Sequence, residues 1–167
     1  RWVQHSLAAE WDLCYGSQME GVNPNTDMNL DIETMIPHRG RMRLIEKVVA
    51  IDDQKALTAA TTSEDWPLYR DGSVDVLVTI ELVAQTAALL EGWKRLQTGR
   101  GGTTGWLVGI KNADFSSARL SVPATLITEV TKSYALEGYA VFGGTVRLED
   151  RIVATLSVQA FRPEADS

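Results

Sequence analysis

The chain has 167 residues, of which 44% are hydrophobic and 23% charged, and it carries a formal net charge of -6. That length and balance suit one folded domain with its own core and exclude a largely disordered chain. The negative charge disfavours nonspecific binding of nucleic acid, because a phosphate backbone demands a basic face.

Residues 1–27 differ from the rest. They begin with arginine and end in Gly21-Val22-Asn23-Pro24-Asn25-Thr26-Asp27, which is turn and linker chemistry. They read as an extension, with a short helix over 2–13 and no assigned function. Met28 reads as a natural start and 28–167 as a single domain. Residues 31–35 form one helical turn, stopped by Pro37. Residues 44–51 are apolar and β-branched and read as a strand, which Asp52-Asp53-Gln54 turns back into a second strand over 55–62. Residues 63–72 read as a loop. Ser73 is a suitable N-cap and Asp75 suits a first helical turn, so the pattern predicts a helix from 73 to about 97, ending at Gly99. After the glycine-rich stretch 99–105 the chain turns to strands: 107–115, 126–136, 139–148 and 152–161, with turns at Glu137-Gly138 and Glu149-Asp150. In the last strand Ile152, Ala154, Leu156, Val158 and Ala160 are expected on one face, and Val153, Thr155, Ser157 and Gln159 on the other.

The plan is two strands, one long apolar helix and four more strands. A helix that is hydrophobic nearly all round must be buried on most sides. The predicted class is therefore α+β, a curved antiparallel sheet wrapped around one central helix. The most apolar run, 74–90, contains Asp75, Glu81 and Gln85, which makes it a buried helix and a poor membrane span. With a single cysteine, Cys14, no intrachain disulfide exists, and no signal peptide is visible; both fit a cytoplasmic protein. Two histidines and one cysteine make no recognisable zinc site. No P-loop, dinucleotide fingerprint or nucleophile elbow occurs, so neither metal nor cofactor is expected.

Two residues carry the chemistry. His38 stands in Ile36-Pro37-His38-Arg39-Gly40-Arg41-Met42-Arg43, and Glu81 stands in the apolar helix. A histidine titrates near neutrality and suits a base; a carboxyl among Leu77, Val78, Leu82 and Ala84 is expected to have a raised pKa and to suit an acid. The plainer readings are a structural histidine after Pro37 and a core acid paired with an arginine. Gln85, one turn beyond Glu81, would orient the acid or a water, or serve helix packing. Arg39, Arg41 and Arg43 cluster, as do Lys94, Arg95 and Arg100; they are solvated surface charge or a positive rim for an acidic partner or a phosphate. Trp66, Trp93 and Trp106 read as core or interface anchors.

Three segments resemble the hotdog-fold 3-hydroxyacyl-[acyl carrier protein] dehydratases. Ile36-Pro37-His38-Arg39 through Met42-Arg43-Leu44-Ile45-Glu46-Lys47-Val48 is similar to their PHR segment. Ile80-Glu81-Leu82-Val83-Ala84-Gln85-Thr86 is similar to the E-x-x-A-Q core of their central helix. Leu107-Val108-Gly109-Ile110-Lys111-Asn112-Ala113-Asp114-Phe115, followed by Val122-Pro123, is similar to their G-x-x-x-A-x-F strand. The resemblance spans roughly 30–162. The G-H-F-P loop histidine of the best-known members is absent: the corresponding stretch is Glu64-Asp65-Trp66-Pro67, and the only other histidine is His5. That departure resembles the branch found with aryl polyene gene clusters, in which His38 would have to supply the base, with loss of the chemistry as the alternative.

The resemblance implies dehydration of a 3-hydroxyacyl group on acyl carrier protein, as in fatty acid biosynthesis. It implies His38 and Glu81 as catalytic residues, histidine from one subunit and acid from its partner, in a homodimer or higher homo-oligomer with an acyl tunnel along the dimer interface. Gln85, Gly109 and Asp65 would border the substrate, and Arg39, Arg41 and Arg43 would dock the carrier protein. The amides opening the predicted helix at Ser73 would stabilise the thioester enolate. An acyl thioesterase, with Glu81 activating water, and a non-catalytic acyl-thioester-binding subunit remain as alternatives.

Overall fold

The structure, a computed structural model, describes residues 30–99 and 105–162. The expected helix over 2–13, the start at Met28, His5 and Cys14 lie outside the described residues. A one-turn helix α1 (Ile32–Met35) is capped by Asp31, whose carboxylate accepts from the Glu33 amide at 3.0 Å. A 3₁₀ turn over Gly40–Met42 follows. Strands β1 (Lys47–Ile51) and β2 (Lys55–Thr61) form the first hairpin, and Asp52 closes its turn by accepting from the Gln54 and Lys55 amides. Short strands β3 (Tyr69–Arg70) and β4 (Ser73–Asp75) precede the long helix α2 (Val78–Gln97). Then come β5 (Trp106–Phe115), β6 (Arg119–Ser121), β7 (Thr125–Leu136), β8 (Tyr139–Leu148) and β9 (Arg151–Phe161).

Six strands make one antiparallel sheet in the order β1-β2-β7-β8-β9-β5, and β3-β4-β6 make a second, three-stranded one. The large sheet curves around α2, which is the hotdog arrangement. Leu82, Val83, Ala87 and Leu90 of α2 pack on Leu126, Val130, Phe142, Val146, Leu156 and Val158 of the sheet. The opposite side of α2 is covered by a second cluster of Ile32, Met35, Ile36, Ile45 and Val48 around Leu89. Within the interface to the sheet, the Thr58 and Thr86 hydroxyls pair at 2.8 Å, so neither is buried without a partner.

Three expectations change. The helix begins at Val78 rather than Ser73. Residues 73–75 pair with β6 instead, and the Arg119 side chain donates to the Ser73 hydroxyl at 3.0 Å and to its carbonyl at 2.8 Å. Ser73 is thereby occupied as a strand residue and cannot cap. The first strand begins at Lys47 because Leu44 and Ile45 instead cross α2 as a buried strap. In β9 the alternation breaks at its start. A bulge places Val153 between the partners of Val146 and Arg147, so Val153 turns inward beside Ala154 and Ile152 turns outward. The hairpin turns hold as read: Glu137, Gly138 and Glu149 all adopt positive φ.

Gly92 decides how closely α1 can approach. A methyl group there would run into the backbone of Met35, at 2.9 Å from its Cα. Replacing Gly92 by Ala adds about 1 kcal/mol of helix propensity, but overpacking of this kind costs about 1–3 kcal/mol. Gly92→Ala is therefore expected to lose about 1 kcal/mol net, read as a lower urea midpoint at unchanged slope.

Candidate active site

The 3₁₀ turn and the strap hang the segment after Pro37 over the first turns of α2. What fixes it is Gln85, which is fully buried. Its amide nitrogen donates to the Met42 carbonyl at 2.6 Å and to Glu81 Oε1 at 2.8 Å, while its oxygen accepts from the Leu44 amide at 2.9 Å. Its hydrogen bonds go to the strap and to Glu81, and Gln85, expected to border the substrate, is not among the residues lining the cavity that His38 and Glu81 share. It positions Glu81 and anchors the strap.

His38 Nε2 lies 3.1 Å from Glu81 Oε1, both within one chain, and the two side chains are 28% and 33% exposed. The expected meeting across a subunit boundary is replaced by a pair that one chain assembles alone. A raised pKa for Glu81 is not found either. The hydrogen bond from His38 pulls the carboxyl below its ordinary value of 4.5, burial pushes the other way, and the hydrogen bond from Gln85 adds to the lowering. The sequence suggested an apolar nest, but Leu77 is half exposed and two donors face the acid. Glu81 is therefore the charged, accepting partner. A carboxylate only accepts, so Nε2 carries the hydrogen and the imidazole lone pair is at Nδ1. That atom is buried and has no hydrogen-bond partner among the described residues. An unsatisfied buried acceptor is rare, and such groups occur at reactive sites.

Both residues line a cavity of about 200 Å³. One wall is the face of α2 carrying Glu81, Ala84, Ala88, Glu91 and Arg95, which recur at helical spacing. The other is built from β8, β9 and the start of β5, including Ala140, Phe142, Val158, Ala160 and Trp106. Sequence reasoning missed Glu91 and Ala88, and left Arg95 as rim charge. The i, i+3, i+7, i+10, i+14 series counted from Glu81 was the signal that would have found them. Trp106 is exposed at the edge strand and forms part of this wall, whereas Trp66 is buried and Trp93 packs beside α1.

Other expected site residues lie elsewhere. Asp65 is exposed in the loop before β3, its amide on the Ser63 hydroxyl at 3.3 Å, and it is not part of the cavity wall. Gly109 sits in β5 against the Gln159 side chain and is not among the residues lining the cavity. Arg39 folds back onto the carbonyls of Glu33, Ile36 and His38 at 2.7, 2.7 and 2.8 Å, and Arg43 lies 3.5 Å from the Glu33 carboxylate. Two of the three arginines thus brace the histidine segment on α1, and Arg41 alone projects without such a contact among the described residues. The amides expected at a helix start near Ser73 are not free helix donors. That segment is strand β4, and the Asp75 and Val76 amides donate to the Leu68 and Ala118 carbonyls at 3.2 and 3.0 Å. At the actual helix start Thr79 and Ile80 donate to the Val76 and Leu77 carbonyls at 2.9 and 3.1 Å.

The His38–Glu81 pair thus sits on the wall of a cavity in a hotdog scaffold. Solved structures share the scaffold. The dehydratase heterocomplex ApeI:P from Xenorhabdus doucetiae matches with a TM-score of 0.75 at 21% identity, covering 81% of this chain and 92% of that one. A hypothetical thioesterase with coenzyme A from Streptococcus pneumoniae matches at 0.55 and 13% identity, covering 69% and 83%. The E. coli PaaI protein of the phenylacetic acid degradation operon matches at 0.54 and 14%, covering 69% and 81%. Comparison with curated proteins returns no match. Residues 30–167 match the ApeP-like family, described as ApeP dehydratase, and the chain belongs to that family.

Two outcomes follow. Gln85→Leu leaves the Leu44 amide and Met42 carbonyl unpaired in the interior and should cost about 3 kcal/mol in chemical denaturation. Because the folded-state pKa of Glu81 is the lowered one, its ionisation supports the fold fully above the unfolded value of 4.5 and ceases to do so as pH falls through the folded value. The stability difference between the parent and Glu81→Gln should be flat at neutral pH and shrink below about pH 4.5. A difference that widens on acidification would contradict the charged state assigned to Glu81.

Proposed function

We propose that this dehydratase converts a 3-hydroxyacyl thioester on acyl carrier protein to the trans-2-enoyl thioester. The observation that carries this reading is the His38–Glu81 pair on the wall of an apolar cavity. The imidazole takes the proton from C2. The C2–H electron pair becomes the second bond between C2 and C3, the C3–O bond breaks, and the imidazolium returns its proton to the departing oxygen, which leaves as water. Glu81 stays charged throughout. It keeps the reactive tautomer in place and stabilises the imidazolium, the role a carboxylate plays behind any catalytic imidazole. This reverses the expectation that Glu81 supplies the proton, while keeping His38 as base.

A homodimer is part of the proposal. The edge strand β5 exposes Trp106, Leu107, Val108 and Ile110, and an exposed apolar edge is a template for pairing. The related ApeI:P protein is itself a heterocomplex, so pairing with a sister dehydratase is the other arrangement. Among the described residues no helix is long and apolar enough to cross a membrane. A thioesterase remains the second reading, because a carboxylate that is ionised at rest also suits activation of water.

Incubation with a 3-hydroxyacyl carrier protein, followed by intact mass, should show loss of one water without release of free thiol. His38→Ala should lower the rate by about 10²–10⁴-fold, the range of a general base, and Glu81→Gln should also lower it while retaining the fold. Thiol release without dehydration would favour the thioesterase; a parent-like rate in His38→Ala would remove the proposed mechanism.

A further inference from the structure

Pro37 leaves a gap in the backbone hydrogen bonding that Arg39 fills. In α1 the Glu33 carbonyl would accept from the amide four residues on, but that residue is Pro37 and has no N–H. Ile36, ahead of the proline, is extended at φ -126° and ψ 150°, so the chain leaves the helix there. One guanidinium takes up the carbonyls of this exit. Its Nη2 donates to Glu33 at 2.7 Å, and its Nη1 to Ile36 at 2.7 Å and to His38 itself at 2.8 Å. The Glu33 carboxylate lies 3.5 Å from Arg39 Nε and steadies the plane from its other edge. A planar fork of donors can serve three carbonyls at once; a lysine ammonium, a compact point charge, lacks that geometry.

The histidine is thereby held from two sides. Downstream, Gln85 seats Met42 and Leu44 on α2. Upstream, Arg39 ties the carbonyl of His38 to α1. Between the two anchors lies Gly40, at φ +55°, where the chain could otherwise pivot. Such a pivot would separate His38 Nε2 from Glu81 Oε1, now 3.1 Å apart, and the Nε2–H tautomer would lose the acceptor that selects it. Arg39 is half exposed and is not among the residues lining the cavity, so its effect on the reaction must pass through His38.

We propose that Arg39 is a positioning residue for the dehydration: by clamping the carbonyls of Glu33, Ile36 and His38, it holds the imidazole with Nε2–H on Glu81 and the lone pair at Nδ1. The clamp takes the place of the carrier-docking role expected of Arg39, because three of its hydrogen bonds go to the protein's own backbone. Its kinetic consequence rests on the reading of His38 as the base; its hold on the imidazole does not.

The test uses the full chain with Arg39→Gln and Arg39→Lys and has two readouts. Imidazole ¹⁵N shifts, with the His38 signal identified by its absence in His38→Ala, report which nitrogen carries the hydrogen. The parent should show Nε2–H, and both variants a mixture of tautomers, lysine recovering little because geometry and not charge is lost. The second readout is kcat and KM for a 3-hydroxyacyl group on carrier protein and on pantetheine. For both substrates kcat should fall by about 10–10²-fold, the cost of a misplaced catalytic group, with KM little changed. Where the Arg39 variants fail to fold, Glu33→Gln should give the same mixture in smaller proportion. A loss confined to the carrier-protein substrate and restored by lysine makes Arg39 a docking cation and overturns the proposal. A lower urea midpoint with tautomer and kcat unchanged leaves Arg39 a brace for α1 alone, and also overturns it. A parent that dehydrates neither thioester, while the Arg39 variants still mix the tautomers, sinks the dehydratase reading and leaves the clamp standing.

Discussion

The amide of Gln85 joins three things that the chain keeps far apart: the central helix, the strap that crosses it, and the acid of the reactive pair. Its oxygen receives the Leu44 amide, and its nitrogen reaches the Met42 carbonyl and Glu81. These groups are all inside the protein, where an unmade hydrogen bond costs far more than a made one contributes. The strap therefore has one seating on the helix. His38, only a few residues upstream and further held by Arg39 on α1, has little freedom to miss Glu81.

The helix divides its circumference among three neighbours. One face, through Leu82, Val83 and Leu90, belongs to the sheet. Another, through Leu89 and the glycine at 92, receives α1 and the strap. The third carries Glu81, Ala84, Ala88, Glu91 and Arg95 and belongs to the cavity. Small residues on that last face keep space open where the other two faces are filled. A helix with apolar residues on nearly every side thus supports both a packed core and a site, because one of its faces is occupied by short side chains.

The charge state of the pair follows from donors, not from burial. Burial alone raises a carboxyl, and Glu81 is partly enclosed. Two N–H groups aimed at it outweigh that effect and hold it charged. The consequence passes to the imidazole, whose hydrogen is committed at Nε2 and whose lone pair is left at a buried Nδ1 without a partner.

The amino-acid order by itself determined the elements whose physics is local. The helix was legible because its residues are apolar on most sides, the hairpins because Gly138 and Asp150 are turn-forming residues between apolar runs, and His38 with Glu81 because such residues stand out in those surroundings. Tertiary structure alone decided the rest. Residues 73–75 became a strand because β6 arrives from forty-six residues away to pair with them. Val153 turned inward because of a bulge in the ladder with β8, which no alternation in one strand can announce. Arg39 and Arg43 became braces and Glu81 became the charged partner, because each outcome depends on which groups lie within hydrogen-bond or Coulomb reach across the fold, and sequence separation carries no such distance.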